Sequence, residues 1–257
     1  MLKVFEQAAL AAGRAILEIC QASAAVTLKP DASPVTVADE RAEAIILAAL
    51  AEALPDVPVV AEEAVAAGKI PDTEGSTFIL VDPLDGTREF IVDRPEFTVN
   101  IALIENGVPV TGIVYAPALG VAYVGSKAGA EKLTISPQFE ITERRPIAVR
   151  PGHRPPVAVA SRSHGSPQTE QYLTDHAIDE CRSIGSSLKF CLLAEGVADI
   201  YPRFSRTMEW DTAAGDAVLR AAGGTTLCLD GKPLVYGKRN QLLDIDFANP
   251  SFVSRGG

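Results

Sequence analysis

Two aspartates lie three residues apart where an apolar segment ends. In FILVDPLDGTREF, residues 78–90, a run typical of a buried strand is followed by Asp82 and, beyond a proline and a leucine, by Asp85. The proline restricts one φ angle and Gly86 permits unusual backbone conformations, so a sharp turn should direct both carboxylates to one spot. Such a pair repels unless a cation lies between, and oxygen ligands suit Mg²⁺. The N–H groups of Gly86 and Thr87 are then placed to hold a phosphate oxygen.

Three further segments supply groups of the same kind. Glu62 and Glu63 follow another apolar run in VVAEEA, Asp211 opens a predicted helix in EWDTAAGDAVLRAAGG, and Thr36 and Asp39 have capping-box spacing in SPVTVADE. Each has an ordinary alternative explanation, namely a solvated loop, a helix N-cap and a capping box, just as the aspartate pair alone could be an Asx-rich turn. The combination of all four favours a metal site.

The elements that must position these residues differ between the two halves of the chain. In the first half, periodicity predicts helices over 2–22 and 37–54 and strands over 57–61 and 77–81. Two strand-like runs flank an Asn-Gly pair in FTVNIALIENGVPVTGIVYAP, which favours a tight hairpin, and VAYVGS supplies another strand. We therefore expect two helices on an antiparallel sheet.

The second half alternates strand and helix from about residue 146. Strands are predicted at VAVAS, CRSIG, ADIYPRF and TTLCL, and helices at PQTEQYLTDHAI, SLKFCLLAEG and DTAAGDAVLRAAGG. The segment SPQFEITERRPIAVRPGHRPP is rich in proline and charge and is the natural boundary between the halves. The predicted division is 1–145, with helices, an antiparallel sheet and most acidic groups, and 146–257, with α/β alternation and Asp211.

Composition excludes several classes of protein. The chain has 257 residues, 47% of them hydrophobic, and no apolar run near the roughly 20 residues of a membrane span. A net charge of −10 disfavours a polymeric nucleic acid as partner, whereas a small anionic substrate remains possible. The first twenty residues are typical of an amphipathic helix and not of a signal peptide, so a cytoplasmic location is expected. Four cysteines in apolar segments lack zinc-ligand spacing, so we expect buried thiols with neither zinc nor a disulfide.

The segments DASPVTVAD, AEE, VDPLDGT and WDTAAGDAVLRAAGG together resemble the inositol monophosphatase superfamily of Mg²⁺-dependent, lithium-sensitive phosphatases. The resemblance spans essentially the whole chain, and DPLDGT followed by W-D-x-A-x-G at this distance is highly specific. It implies a fold of mixed α+β and α/β character, a layered α-β-α-β-α sandwich of the inositol monophosphatase and fructose-1,6-bisphosphatase type. Within the superfamily, TREF, SRSH and GSSLKFCLLAEGVADIYPRF most resemble the bacterial 3'(2'),5'-bisphosphate nucleotidases.

The resemblance implies a ligand set for two or three Mg²⁺ ions. Glu62, Asp82 and the backbone carbonyl of Leu84 match the ligands of a first ion. Asp82, Asp85 and Asp211 match those of a second. Glu62 would also anchor a third ion that is weakly held and mostly hydrated.

The resemblance also implies how water is activated. Asp39 and Thr87 match a pair in which the carboxylate orients the hydroxyl toward the attacking water, with Glu62 as the third catalytic residue. The chemistry fits these residue types, because hydrolysis of a phosphomonoester needs cations to generate the nucleophile and stabilise the departing oxygen. Thr87 hydrogen-bonded to Asp39 can pass on the proton of the water as it attacks phosphorus in line.

Residues for substrate recognition are expected in the second half. Ser186, Ser187 and Lys189 of GSSLKF are candidates for binding a second phosphate or the ribose, helped by Arg203 in YPRF. A serine pair at a helix start beside an exposed lysine is the structural alternative. His164, at the end of VASRSH, matches a nucleotidase position that stacks on adenine, and a solvated loop histidine is the alternative.

The expected activity is therefore Mg²⁺-dependent hydrolysis of the 3'-phosphate of adenosine 3',5'-bisphosphate to AMP and phosphate. The resemblance places such an enzyme in sulfate assimilation. An inositol or sugar monophosphatase with the same metal site is the main alternative. A non-catalytic nucleotide-binding relative is a third hypothesis, and the complete set of metal and water-orienting residues argues against it.

Overall fold

The computed structural model describes residues 1–21, 26–28, 34–73, 77–152, 155–162 and 165–257. The α-helices in these ranges, numbered in chain order, are α1 (Leu2–Gln21), α2 (Val37–Ala53), α3 (Glu62–Ala66), α4 (Thr87–Ile91), α5 (Pro167–Asp175), α6 (Leu188–Ala194) and α7 (Glu209–Ala221). A short 3₁₀ helix covers Pro117–Leu119.

The strands in the same ranges belong to two large sheets and two short two-stranded pairs. They are β1 (Val26–Leu28), β2 (Pro34–Thr36), β3 (Val59–Ala61), β4 (Thr77–Asp85), β5 (Thr98–Glu105), β6 (Val108–Ala116), β7 (Val121–Ser126), β8 (Gly129–Ile135), β9 (Ile141–Ile147), β10 (Val157–Ser161), β11 (Glu180–Ile184), β12 (Ile200–Arg203), β13 (Thr207–Met208), β14 (Thr225–Cys228), β15 (Ala248–Asn249) and β16 (Phe252–Arg255).

The two long N-terminal helices confirm the periodicity of the sequence, and a capping box begins α2. The Thr36 hydroxyl accepts a hydrogen bond from the N–H of Ala38 at 3.1 Å, and Asp39 Oδ2 accepts one from the N–H of Thr36 at 2.7 Å. These contacts satisfy backbone donors that the first helical turn leaves unpaired. The capping explanation of the Thr36 and Asp39 spacing is therefore correct.

The larger sheet has seven strands in the order β3-β4-β5-β6-β7-β8-β9. The predicted hairpin joins β5 to β6 through Asn106 and Gly107, with φ angles of 51° and 75° that suit a tight turn. The expectation of a purely antiparallel sheet is wrong at one edge, because β3 runs parallel to β4. The expected boundary segment also contributes β9, which pairs with β8. The predicted division after residue 145 falls inside β9 and remains a prediction.

The second sheet has five strands in the order β11-β10-β12-β16-β14. β10 pairs in parallel with β11 and β12, whereas β16 is antiparallel to both β12 and β14. The edge position of β11 leaves Cys181 exposed, contrary to the expectation of buried thiols. Cys191 is buried as predicted, and Cys20 and Cys228 are half-buried.

Three apolar clusters hold the layers together. The first unites α1 and α2 with one face of the seven-stranded sheet, through residues such as Phe5, Ile46 and Ile101. The second fills the space between the other face of that sheet, α6, α7 and the five-stranded sheet, and the third lies between the five-stranded sheet and α5. The layers therefore follow the predicted order α-β-α-β-α. No helix in the described ranges is long and apolar enough to cross a membrane.

Helix α7 lies unusually close to the seven-stranded sheet because two strand residues lack side chains. A Cβ atom added to Gly112 would lie 2.7 Å from the carbonyl oxygen of Ala214, and one added to Gly125 would lie 2.6 Å from that of Ala217. Only glycine allows the helix backbone to approach the strands in this way. This contact fixes the position of α7, whose first turn contains Asp211.

Candidate active site

A cleft of about 190 Å³ lies where β4 ends and where α3, α4, α6 and α7 begin. The structure brings most of the predicted site residues to its wall. Those that line it are Glu62, Asp82, Leu84, Asp85, Gly86, Thr87, Ser186, Ser187, Lys189, Arg203 and Asp211. Asp39 lies behind Thr87, and His164 falls outside the described residues.

The two aspartates of the motif lie at a β-bulge in β4. Asp82 is opposite Asn100 of β5 and Asp85 is opposite Thr98, so three steps along β4 match two along β5. In a regular strand, residues three apart point to opposite faces, but the extra residue reverses the alternation and brings both carboxylates to one cleft. The sharp turn expected at the proline is displaced, since β4 continues to Asp85 and the chain turns at Gly86 with φ 92°.

Asp82 is the most confined of these carboxylates, with 1% of its surface exposed. Its Oδ1 accepts a hydrogen bond from the N–H of Leu84 at 3.0 Å, whereas its Oδ2 is buried with no hydrogen-bond partner among the described residues. Burial raises the pKa of Asp82 well above its usual value, and the charges of Glu62, Asp85 and Asp211 raise the pKa further. A buried carboxylate oxygen without a partner is a free ligand for a cation.

Asp211 lies in the first turn of α7. The helix begins two residues earlier than predicted, so Asp211 is not the N-cap; its carboxylate instead accepts a hydrogen bond from the N–H of Met208 at 2.8 Å. Burial raises the pKa of Asp211 to about 8, and the nearby carboxylates of Asp85 and Glu62 also raise it. The Asp211 carboxylate therefore accepts a hydrogen bond from a backbone N–H at the start of α7 and still faces the other acidic groups.

Glu62 reaches the cleft because β3 is parallel to β4. Ala61, the last residue of β3, pairs with Val81, the residue before Asp82, and Glu62 is the first residue of α3, immediately after β3. The helix start is fixed from α2, because the N–H of Glu63 donates to Glu43 Oε2 at 2.8 Å. The solvated-loop explanation of the two glutamates is therefore wrong.

The residues fit a magnesium site, although among the described residues no three His, Cys, Asp or Glu side chains are close enough to hold an ion as they stand. Burial is the largest cause of the raised pKa values of Asp82, Asp85 and Asp211, and a cation bound among them would favour their charged forms. All the donors are oxygens, which suits Mg²⁺. The partnerless Oδ2 of Asp82 is the observation that most favours a bound cation.

Thr87 and Asp39 form the expected pair. The Thr87 hydroxyl lies 3.1 Å from Asp39 Oδ1, to which it can donate, and 3.2 Å from the carbonyl oxygen of Leu84. Asp39 Oδ2 already accepts from the N–H and the hydroxyl of Thr36, each at 2.7 Å. The capping box thus holds Asp39 so that its other oxygen faces Thr87.

The opposite wall of the cleft is basic and comes from the second half of the chain. Lys189 is only 4% exposed, so the alternative of an exposed lysine is wrong. Its ammonium donates to the carbonyls of Ile184 and Ser186 and lies 5.4 Å from the ring centroid of Tyr201. Burial lowers the pKa of Lys189 to about 8, although the charge of Asp85 raises it.

Ser186 and Ser187 do not act as a simple helix start. Ser187 precedes α6 without a side-chain capping bond, and its hydroxyl lies 3.0 Å from Asp85 Oδ2. Ser186 has a positive φ of 48°, and its buried hydroxyl has no hydrogen-bond partner among the described residues. Such a strained residue with an unsatisfied hydroxyl at a cleft wall is suited to bind a ligand. The Arg203 guanidinium donates to the carbonyls of Ser205 and Arg206, at 3.0 Å each.

Sequence patterns did not single out several residues at the cleft. Glu89, Ser161, Tyr201 and Thr207 also line it, and the buried Asn100 contacts two of its residues from behind. Asn100 carried a signal, since it is a polar residue within the apolar strand FTVNIAL. Glu89 and Thr207 lie outside the predicted helices and strands, and Ser161 ends a predicted strand. Tyr201 lies within a predicted strand whose pattern does not indicate which residues meet the cleft.

Comparisons with known proteins agree with this arrangement. The chain is 44% identical over 254 residues to the 3'(2'),5'-bisphosphate nucleotidase CysQ of Escherichia coli strain K12, covering 98% of each chain. Its structure is similar to that of CysQ from Bacteroides thetaiotaomicron, at 38% identity and a TM-score of 0.79, covering 99% of this chain and 96% of that one. It is also similar to an inositol monophosphatase from Anabaena sp. PCC 7120, at 25% identity and a TM-score of 0.74, covering 100% and 90%.

These solved structures confirm the predicted fold class, in which mixed sheets are flanked by helices. The model of the inositol monophosphatase family matches residues 1–247, almost the whole chain. Members of that family are metal-dependent, typically with Mg²⁺, which agrees with the all-oxygen donor set. The protein therefore belongs to the inositol monophosphatase family.

Proposed function

We propose that this protein is a Mg²⁺-dependent phosphomonoesterase that removes the 3'-phosphate of adenosine 3',5'-bisphosphate, releasing AMP and phosphate. The observation that carries the proposal is one cleft with an acidic wall beside the Thr87–Asp39 hydrogen bond and a basic wall around Lys189 and Arg203. Near full-length similarity to proteins named bisphosphate nucleotidase supports this choice of substrate.

The acidic wall would hold the metal ions. Glu62, Asp82 and the carbonyl of Leu84 are the proposed ligands of one ion, and Asp82, Asp85 and Asp211 those of a second. Glu62 would also hold a third, weaker ion. When bound, Mg²⁺ supplies positive charge that favours deprotonation of the attacking water and stabilises the charge on the departing oxygen.

The hydroxyl of Thr87 orients the attacking water. As the water attacks phosphorus in line with the departing 3'-oxygen, its proton passes to the Thr87 hydroxyl, which gives its own proton to Asp39 Oδ1. Asp39 suits this role because the Thr36 contacts fix its orientation. The N–H groups of Gly86 and Thr87, at the start of α4, are proposed to hold an oxygen of the same phosphate.

The basic wall would recognise the rest of the nucleotide. The Lys189 ammonium and the Arg203 guanidinium supply positive charge for the 5'-phosphate, and Ser186 and Ser187 are the predicted partners for that phosphate or the ribose. His164 is proposed to stack on adenine. We extend the proposal to inhibition by lithium, a cytoplasmic location and a role in sulfate assimilation, all of which the family resemblance implies.

An inositol monophosphatase is the second candidate, because the chain is also similar to a solved protein of that name. Parallel phosphate-release assays on adenosine 3',5'-bisphosphate and myo-inositol 1-phosphate would separate the two. We expect kcat/KM to be at least tenfold higher for the bisphosphate. Asp82→Asn, purified identically, would control for contaminating phosphatases. A higher kcat/KM for the inositol phosphate would contradict the nucleotidase assignment. If neither substrate released phosphate in a Mg²⁺-dependent way, the hypothesis of a non-catalytic binding protein would be favoured.

A further inference from the structure

Asn100 is a buried polar residue in an otherwise apolar strand. It lies in β5, within the seven-stranded sheet, and only 1% of its surface is exposed. It is directly opposite Asp82 of β4 on one side and Val114 of β6 on the other. Burial of an amide is unfavourable unless its groups form hydrogen bonds, so the contacts of this side chain indicate why the strand contains it.

The amide of Asn100 faces the cleft residues from behind. Its Nδ2 donates to the hydroxyl of Ser187 at 3.0 Å and lies 3.5 Å from Asp85 Oδ2. Its Oδ1 is buried without a hydrogen-bond partner among the described residues. The side chain therefore acts as a donor at the end that faces Ser187, which is 87 residues away in the sequence.

Ser187 links Asn100 to both acidic elements of the cleft. The residue is 2% exposed, and its hydroxyl oxygen lies 3.0 Å from Asp85 Oδ2 and 2.6 Å from the backbone carbonyl oxygen of Asp211. A hydroxyl has one proton to donate and two lone pairs to accept with. Because Asn100 donates to this oxygen, the serine proton is left for Asp85 or for the Asp211 carbonyl.

These contacts join four separate parts of the chain. Asn100 belongs to β5, Ser187 precedes α6, Asp85 ends β4, and Asp211 lies in the first turn of α7. Both aspartates line the same cleft, where like charges repel each other. One arrangement links both: the Ser187 hydroxyl donates to the Asp211 carbonyl, while the Asn100 amide, which donates to Ser187, also lies 3.5 Å from Asp85 Oδ2. These contacts oppose separation of the two aspartates.

We propose that Asn100 and Ser187 are positioning residues that hold Asp85 and Asp211 at the separation required for both to bind one Mg²⁺ ion. Neither side chain touches the ion or the reacting phosphate in this arrangement. The inference rests on the proposed function, in which Asp85 and Asp211 are ligands of the same ion. It gives Ser187 a role different from the substrate contact expected from the sequence.

Asn100→Leu and Ser187→Ala test this role, with Thr98→Val as the matched control. Leucine has the same number of side-chain heavy atoms and the same branching as asparagine, lacks the amide donor and suits an apolar strand, while Ser187→Ala removes only a hydroxyl. Thr98 is also buried in β5, opposite Asp85, but its hydroxyl has no hydrogen-bond partner among the described residues. Removal of that hydroxyl should therefore leave the metal site unchanged.

Mg²⁺ binding to the chelator-treated full-length proteins is measured by isothermal titration calorimetry. Loss of a residue that orients a metal ligand typically weakens affinity by about 10–100-fold. We expect that loss in Asn100→Leu and Ser187→Ala and a change below about twofold in Thr98→Val. The double variant Asn100→Leu/Ser187→Ala should bind Mg²⁺ about as weakly as the weaker-binding single variant, because both residues act through one chain of contacts. In the variants with weakened affinity, raising the Mg²⁺ concentration in proportion to the increase in Kd should restore kcat.

The alternative is that Asn100 only joins β5 to the segment before α6. In that case the unfolding temperature of the metal-free variants would fall while Mg²⁺ affinity and the Mg²⁺ dependence of kcat stayed at their normal values, which would overturn the proposal. If Asn100→Leu does not fold, unchanged Mg²⁺ affinity in Ser187→Ala has the same consequence. Absence of Mg²⁺ binding by the unsubstituted protein would overturn the proposed function itself, and this inference with it.

Discussion

The hydroxyl of Thr87 lies 3.1 Å from Oδ1 of Asp39, although 48 residues separate them in the chain. Thr87 begins α4 and Asp39 lies in the first turn of α2, so the contact joins two helix starts. The capping box occupies the other oxygen of Asp39, which leaves Oδ1 for Thr87. One aspartate therefore stabilises a helix end and orients the hydroxyl proposed to activate water.

Thr87→Val should separate this role from metal binding. The substitution keeps the volume and removes the hydroxyl, so kcat should fall by about 10²-fold, the scale for losing general-base assistance. Mg²⁺ affinity and KM should change little, because the proposed backbone contact to phosphate remains. Phosphate-release assays measure kcat and KM, and calorimetry measures Mg²⁺ affinity. Thr87→Ser, which keeps a hydroxyl, is the control. A parallel loss of Mg²⁺ affinity would make Thr87 a structural residue.

Asp82→Asn should abolish turnover without unfolding the protein. The proposed ions share this carboxylate, so asparagine removes a charged ligand from both. The unfolding temperature without metal should not fall, because the substitution removes one of the buried acidic groups that raise each other's pKa. Saturating Mg²⁺ should stabilise the unsubstituted protein by about 2.7 kcal/mol at 100 times Kd and the variant much less. Near-normal activity of the variant at any Mg²⁺ concentration would refute the proposed site.

Lys189→Ala tests the nucleotide assignment. If the ammonium pairs with the 5'-phosphate, KM for adenosine 3',5'-bisphosphate should rise 10–100-fold, consistent with about 1.5–3 kcal/mol for a hydrogen bond to a charged group. The KM for inositol 1-phosphate, which lacks a second phosphate, should hardly change. Lys189→Met keeps most of the buried stem and should show the same loss as alanine. If Lys189→Ala raised KM equally for both substrates and Lys189→Met kept normal KM values, Lys189 would be a packing residue.

Gly125→Ala should weaken both stability and metal binding through α7. The new Cβ would lie 2.6 Å from the Ala217 carbonyl oxygen and from the Val218 Cα, so the helix must move away from the sheet. Overpacking of this kind costs about 1–3 kcal/mol, which lowers Tm by several degrees in a protein of this size. Because α7 carries Asp211, Mg²⁺ affinity should also fall. Gly256→Ala is the control, because its added atom lies no closer than 3.7 Å to any neighbouring atom. An equal effect there would exclude this explanation.

Local patterns in the sequence were sufficient to recognise the family and to predict most helices and strands. The periods of α1 and α2, the Asn-Gly hairpin and the strand–helix alternation of the second half each depend on neighbouring residues, so they could be predicted without coordinates. The family was recognised from short motifs and is confirmed by the match over residues 1–247. The roles assigned to the individual site residues remain predictions.

Other features depend on contacts between distant segments and could be known only from the tertiary structure. The parallel pairing of β3 with β4 and the bulge that turns Asp85 toward Asp82 are set by which strands become neighbours. The same holds for the burial of Lys189 and for the contact of Asn100 with Ser187, 87 residues away. Periodicity indicates that a strand has a buried face. Which residues pack against that face, and how far they exclude solvent from it, is decided only when the layers pack together.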